Sequence, residues 1–183
     1  TGKRLKGVSR KAKFLFLTFS EEHHLVINPM LTGVLQLCHP DDRIAKRTCI
    51  VLGLGQDLEL RYVDNRQMGL VYYVSGEQIH QVPRLEEQGP DVLDDVISVS
   101  EFKDRLSPCS SEIKGVLTRG RVLSGIGNAY SDEILFHAGI SPFQRRKSLS
   151  DKELETLYLS ARQVVTDAVE VLRERMGLPT GTQ

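Results

Sequence analysis

The spacing of apolar residues changes once along the chain, and that change limits what it can fold into. From Lys13 to Val74 apolar residues come in short runs at strand spacing; from Ser100 onward they recur at helical spacing. Lys13–Phe19, His24–Asn28, Gly33–Cys38, Thr48–Leu52, Leu58–Val63 and Gly69–Val74 read as strands, with Gly53–Asp57 as a turn. Short strands at regular intervals predict an antiparallel sandwich or barrel. Gly76, Pro83, Gly89 and Pro90 then break the pattern while acids accumulate, so 76–99 reads as an acidic linker. Helices are expected at Ser100–Leu106, Ser110–Arg119 and Asn128–His137, the last stopped by Gly139 and Pro142. Ser150-Asp-Lys-Glu153 is a capping box opening a long helix, whose Leu154, Leu157, Ala161, Val164, Val165, Ala168 and Leu172 make one core-facing stripe. The tail Gly177–Gln183 is expected to lack regular structure. The class is therefore α+β: a sandwich-type domain over 1–75, the linker 76–99, and an all-helical domain over 100–183.

Composition removes several classes. No apolar run approaches the roughly 20 residues of a membrane span, and no secretory signal is visible at the start. Cys38, Cys49 and Cys109 are odd in number and far apart, without a Cys-x-x-Cys pair. Reduced, mostly buried thiols in an intracellular protein are expected. The formal net charge is zero, so overall charge gives no nucleic-acid signal. Its distribution is uneven. Lys3, Arg4, Lys6, Arg10, Lys11 and Lys13 open the chain without an acid among them, and Arg145, Arg146 and Lys147 form a second basic cluster. Acids concentrate between Glu77 and Asp104. That separation is compatible with phosphate binding on one face, although each run taken alone is more often solvated surface.

The most specific stretch runs from Ile113 to Pro142. Two short helices flank the glycine-rich segment Ser124-Gly-Ile-Gly-Asn128. A glycine turn feeding a helix start presents backbone N–H groups to an anion, and the helix dipole favours negative charge there. Gly125 and Gly127 permit close approach of a ligand. Asn128 is expected to cap the helix and to offer its amide to a phosphate; its plainer reading is a cap alone.

The order strand-rich domain, acidic segment, helix–two-turn–helix resembles the formamidopyrimidine-DNA glycosylase/endonuclease VIII family. The resemblance runs from about Gly2 to Met176. It is most specific at Gly125-Ile-Gly-Asn128-Ala-Tyr-Ser-Asp-Glu-Ile-Leu-Phe-His-Ala-Gly139-Ile-Ser-Pro142, and is supported by Gly89-Pro-Asp91 and Asp64-Asn-Arg66-Gln-Met-Gly69. It implies base-excision repair: removal of oxidised bases from damaged double-stranded DNA, then cleavage at the abasic site, by a monomer of the cytoplasm or nucleoid with no membrane partner. A stacked base cannot be attacked at its sugar C1′, so the resemblance implies a nucleotide flipped into a cleft between two domains.

The resemblance also implies roles for particular residues. Lys13 corresponds to a lysine that binds phosphate beside the lesion and takes part in elimination. Asn128 and Lys114 correspond to DNA-facing residues, and Arg47 stands where relatives carry a phosphate-binding histidine. Arg66 corresponds to an arginine that fills the gap left by the flipped base. Leu31 and Met68 stand where purine-specific relatives place a methionine and a phenylalanine as wedges; both remain apolar, and core packing is their plainer reading. Gln67 replaces a basic residue, and Asn28-Pro-Met-Leu-Thr-Gly33 departs from the commoner histidine-containing version. These departures bear on lesion preference.

The family's nucleophile is an N-terminal proline amine followed by glutamate. The chain starts Thr1-Gly-Lys3, so the 183-residue chain is expected to lack that nucleophile and to be part of a longer enzyme with an incomplete sandwich. No cofactor is expected in it; a structural zinc would belong to a finger following Met176. The alternative is a non-catalytic DNA- or RNA-binding module, because a ribosomal small-subunit protein shares the helix–two-turn–helix.

Overall fold

Alternating side chains in the first part of the chain build two antiparallel sheets. The computed structural model describes residues 2–94 and 96–177; Thr1 and the Leu178–Gln183 part of the tail, both subjects of expectations above, lie outside the described residues. The chain divides into two units, Thr1–Leu85 and Glu86–Gln183.

In the first unit, β1 (Leu5–Lys11), β2 (Phe14–Phe19), β3 (His23–Asn28) and β7 (Leu70–Ser75) form one sheet in the order β1-β2-β3-β7. β4 (Gly33–Cys38), β5 (Thr48–Gly53) and β6 (Glu59–Asp64) form the other, in the order β4-β6-β5. Successive residues of a strand face opposite ways. Leu17, Leu25 and Ile27 of the first sheet therefore meet Tyr62 of the second, with Leu35, Ile50 and Leu60 packed around them. The opposite face of β2 and β3 presents Phe14, Phe16 and Val26, which Val82 and Leu85 cover. β2 is thus apolar on both faces.

β1 has no apolar alternation, and the sequence gives no sign of it. It forms because its backbone pairs with β2, Val8 opposite Leu17 and Lys11 opposite Phe14. Its side chains are almost all exposed, and its lysines and arginine suit the edge position that β1 holds among the described strands.

The second unit contains α1 (Val99–Leu106), α2 (Ile113–Thr118), α3 (Asn128–Ala138) and α4 (Asp151–Arg175). Their apolar faces share one core that includes Phe102, Leu117, Ile126, Ile134 and Leu157. Ser98 caps α1 by accepting the Glu101 N–H at 3.0 Å, which starts that helix one residue ahead of Ser100. The Ser150–Glu153 capping box opens α4. Gly139, at φ 68°, closes α3 in the left-handed conformation. Segment 76–99 is divided between the units: its first part turns as a 3-10 helix (Gly76–Gln81) and buries Val82 and Leu85 in the first. Its later part buries Val92 in the second. Among the described residues no helix is long and apolar enough to cross a membrane.

Candidate nucleic-acid interface

Strand register fixes one end of the sandwich as a collecting point. β2 and β3 pair Leu15 with Ile27, and β3 and β7 pair Asn28 with Leu70. Continuing both registers places Lys13, the Pro29–Thr32 loop and the Asn65–Gly69 turn at the same end of the first sheet. In the second sheet Gly33 faces Asp64 and Thr48 faces Val63, which brings Arg47 to that end too. The Asp64 N–H donates to the Arg47 carbonyl at 3.0 Å. Lys13, Leu31, Arg47, Arg66 and Met68 are therefore gathered by topology.

Their environments differ in useful ways. Leu31 is 67% exposed and Met68 41%, so neither packs in the core. Arg66 is exposed, and no partner of its guanidinium is found among the described residues. The Arg47 guanidinium donates to the Gln67 amide oxygen at 3.0 Å. Lys13 is half-buried in the β1–β2 turn. Burial lowers its pKa from the ordinary 10.5, which eases transfer of its proton.

Two buried residues of β6 support these segments, and the sequence reading gave neither a role. Arg61 is buried; it pairs with Glu59 and donates to the carbonyls of Asp42 at 2.9 Å and His39 at 3.1 Å. It braces the connection that leads to Arg47. Asp64, also buried, accepts hydrogen bonds from the Thr32 hydroxyl and from the Gly69 N–H. The one visible hint is that an aspartate two residues before Arg66 suits a turn.

In the second unit the two turns between α2 and α3 are held from behind. The Gly89 N–H donates to the Gly120 carbonyl at 2.8 Å, and the Ser124 N–H to the Pro90 carbonyl at 2.8 Å. A Cβ on Gly89 would collide with the Arg121 carbonyl, so the Gly89-Pro-Asp segment approaches as closely as only glycine allows. Gly120 and Gly125 sit at φ 75° and 90°, in the left-handed region.

Asn128 is placed differently from expectation. The N-cap is Gly127, in an extended conformation, and Asn128 is the first helical residue, one position too late for its side chain to cap. Its side chain is exposed, with no hydrogen bond found among the described residues. Lys114 pairs with Asp132 at 2.8 Å, tying α2 to α3. The Ile113 N–H donates to the Gln144 carbonyl and the Arg146 N–H to the Ser111 carbonyl, which lays the basic Arg145–Lys147 segment beside the start of α2.

Two family profiles match the chain: the formamidopyrimidine-DNA glycosylase N-terminal domain over residues 1–71, and the formamidopyrimidine-DNA glycosylase H2TH domain over residues 88–178. The chain belongs to the formamidopyrimidine-DNA glycosylase family. Among curated members, the formamidopyrimidine-DNA glycosylase of Oceanobacillus iheyensis is 32% identical over 171 residues, 93% of this chain and 60% of the relative. That of Moorella thermoacetica is 32% identical over 168 residues, 92% of this chain and 61% of the relative. The chain thus spans about 60% of the length of the curated relatives it matches. The structure of Lactococcus lactis Fpg bound to DNA containing an abasic site matches with a TM-score of 0.85 at 25% identity, covering 92% of this chain and 62% of that one. The formamidopyrimidine-DNA glycosylase fold, an antiparallel β unit followed by a helical H2TH unit, is the one seen here. Among the described residues no group of three or more His, Cys, Asp or Glu is placed to hold a metal ion.

Proposed function

We propose that the chain supplies the DNA-gripping framework of a base-excision repair glycosylase with abasic-site lyase activity, acting on oxidised bases in duplex DNA inside the cell. The reading rests chiefly on one observation: a single end of the sandwich gathers a half-buried lysine, two arginines and two exposed apolar side chains. A damaged duplex needs that combination. Extruding a base leaves a void and a bent backbone, which apolar wedges and a cation must fill and hold. Leu31 and Met68 are assigned to the wedge, Arg66 to the void, and Arg47, Lys114 and Asn128 to phosphates. Lys13 lies beside the phosphate of the lesion nucleotide and supports the elimination that breaks the sugar–phosphate bond. Lys114 has further N–H donors beyond the one that Asp132 takes, though that carboxylate offsets part of its charge. The reading gives no metal or cofactor a part. The formamidopyrimidine-DNA glycosylase name of the curated relatives supports this substrate class.

The test uses two preparations. This chain is titrated by fluorescence anisotropy against a duplex carrying a tetrahydrofuran abasic analogue and against the intact duplex. The product of the whole reading frame is incubated with oxidised-base and abasic duplexes in the presence of borohydride. Preference for the analogue together with a trapped covalent complex is expected. Tight analogue binding without trapping or strand cleavage would select a non-catalytic module instead; equal binding to both duplexes would sink the repair reading.

A further inference from the structure

We infer that Asp64 is a positioning residue: it latches the loop carrying Leu31 to the turn carrying Arg66 and Met68, so that wedge and void-filling groups enter a duplex as one preformed piece. The inference rests on the repair reading above, which assigns those three side chains to the DNA.

Asp64 ends β6 and is 1% exposed. One carboxylate oxygen accepts the Thr32 hydroxyl and the Arg66 N–H, the latter at 3.2 Å; the other accepts the Gly69 N–H at 2.6 Å. The Thr32 hydroxyl oxygen also accepts the Arg66 N–H, at 3.2 Å. The Asp64 carbonyl accepts the Gln67 N–H at 3.2 Å. One buried carboxylate thus joins a residue adjacent to Leu31 with backbone groups on both sides of Met68. Charge-assisted bonds of this kind are the stronger ones.

What the carboxylate leaves alone matters equally. No cation pairs with it among the described residues. It holds Arg66 through the backbone N–H and not through the guanidinium. An aspartate satisfied by backbone and hydroxyl donors fixes the turn without neutralising the charge that has to reach DNA.

Two further features show that the loops need holding. Met30 and Gln67, neighbours of Leu31 and Met68, sit at φ 50° and 53°, where non-glycine residues are strained. Beneath them, the Tyr62 hydroxyl lies so close to Gly33 and Gly69 that a Cβ on either would collide with it. The loops close against one ring, and the bonds to Asp64 hold the strained turns over it. The same donors keep Asp64 ionised: the Thr32 hydroxyl foremost, then the Gly69 N–H, lower its pKa.

The experiment compares the parent chain with Thr32→Val, which deletes the hydroxyl at nearly constant shape, and with Thr32→Ser, which keeps it. Two quantities are read: the ratio of affinities for abasic-analogue and intact duplexes, and the emission of 2-aminopurine opposite the analogue, which rises when a wedge unstacks it. Thr32→Val should lower the ratio about tenfold, the worth of one hydrogen bond to a charged group. It should also abolish the emission rise, with a smaller loss on intact duplex. Thr32→Ser should restore both. If Thr32→Val keeps the parent ratio and emission rise, the latch is wrong while the repair reading stands. A parent chain that binds both duplexes equally removes the repair reading itself. Should Thr32→Val fail to fold by circular dichroism, amide exchange in the parent decides. Slow exchange at Arg66 and Gly69 together is expected, and fast exchange at both overturns the latch.

Discussion

Arg47 donates from Nη1 to the Gln67 amide oxygen at 3.0 Å, and that partner is neutral. Gln67 therefore directs the guanidinium without cancelling its charge. Replacing Arg47 by alanine should reduce the slope of log affinity against log salt by about 0.9, the loss of one phosphate contact. Gln67→Ala should weaken binding and leave the slope intact. Arg47→His should bind less tightly as pH rises through about 6.5, the range in which a free imidazole loses its proton. Anisotropy titrations across salt and pH check all three.

Arg66 and Asn128 should separate discrimination from grip. Arg66 lies in the turn beside Met68, with no partner of its guanidinium among the described residues; Asn128 opens α3 with an exposed carboxamide. Arg66→Ala should lower the preference for abasic-analogue duplex. Asn128→Ala should weaken binding to damaged and intact duplex alike, by about 1 kcal/mol, since a phosphate contact carries no sequence information. An Arg66→Ala variant that discriminates as well as the parent would end the void-filling assignment.

Acid should release Asp64. Its pKa is lowered from the ordinary 3.8, chiefly by the Thr32 hydroxyl and the Gly69 N–H. A carboxyl lowered in the folded state stabilises fully above the unfolded value and loses that contribution as pH falls through the folded one. The stability gap between the parent and Asp64→Asn should therefore be constant near neutrality and shrink progressively below about pH 4. Urea midpoints measured from pH 7 down to pH 3 provide the test.

Gly89→Ala should disturb the α2–α3 turns from a distance. The added methyl meets the Arg121 carbonyl, which is backbone and cannot swing aside. Overpacking of this kind costs about 1–3 kcal/mol. Thermal melting should report the destabilisation, and affinity for both duplexes should fall with it, because the turn that Gly89 backs is displaced.

Strand positions were legible where alternation was clear, as in β4, whose bounds Gly33 and Cys38 coincide with the sequence reading. β1 was not, because backbone pairing with β2 defines it and no side-chain pattern does. The cap of α3 shifted by one residue because glycine and asparagine both suit a helix start and only φ and ψ separate them. Leu31 and Met68 are exposed, which counts against their core-packing reading. Asp64 stands in the Asp64–Gly69 motif, but its role stayed hidden: its partners are mostly backbone N–H groups, which every residue but proline carries, so no spacing of side chains announces it.

The two residues that cover Phe14, Phe16 and Val26 decide where the chain can be cut. A fragment ending at Ser75 keeps β1–β7 yet leaves that face without Val82 and Leu85, an invitation to self-association. Ten residues more, to Leu85, restore the cover. On expression, the longer fragment should elute as a single species in size exclusion, and the shorter one should aggregate.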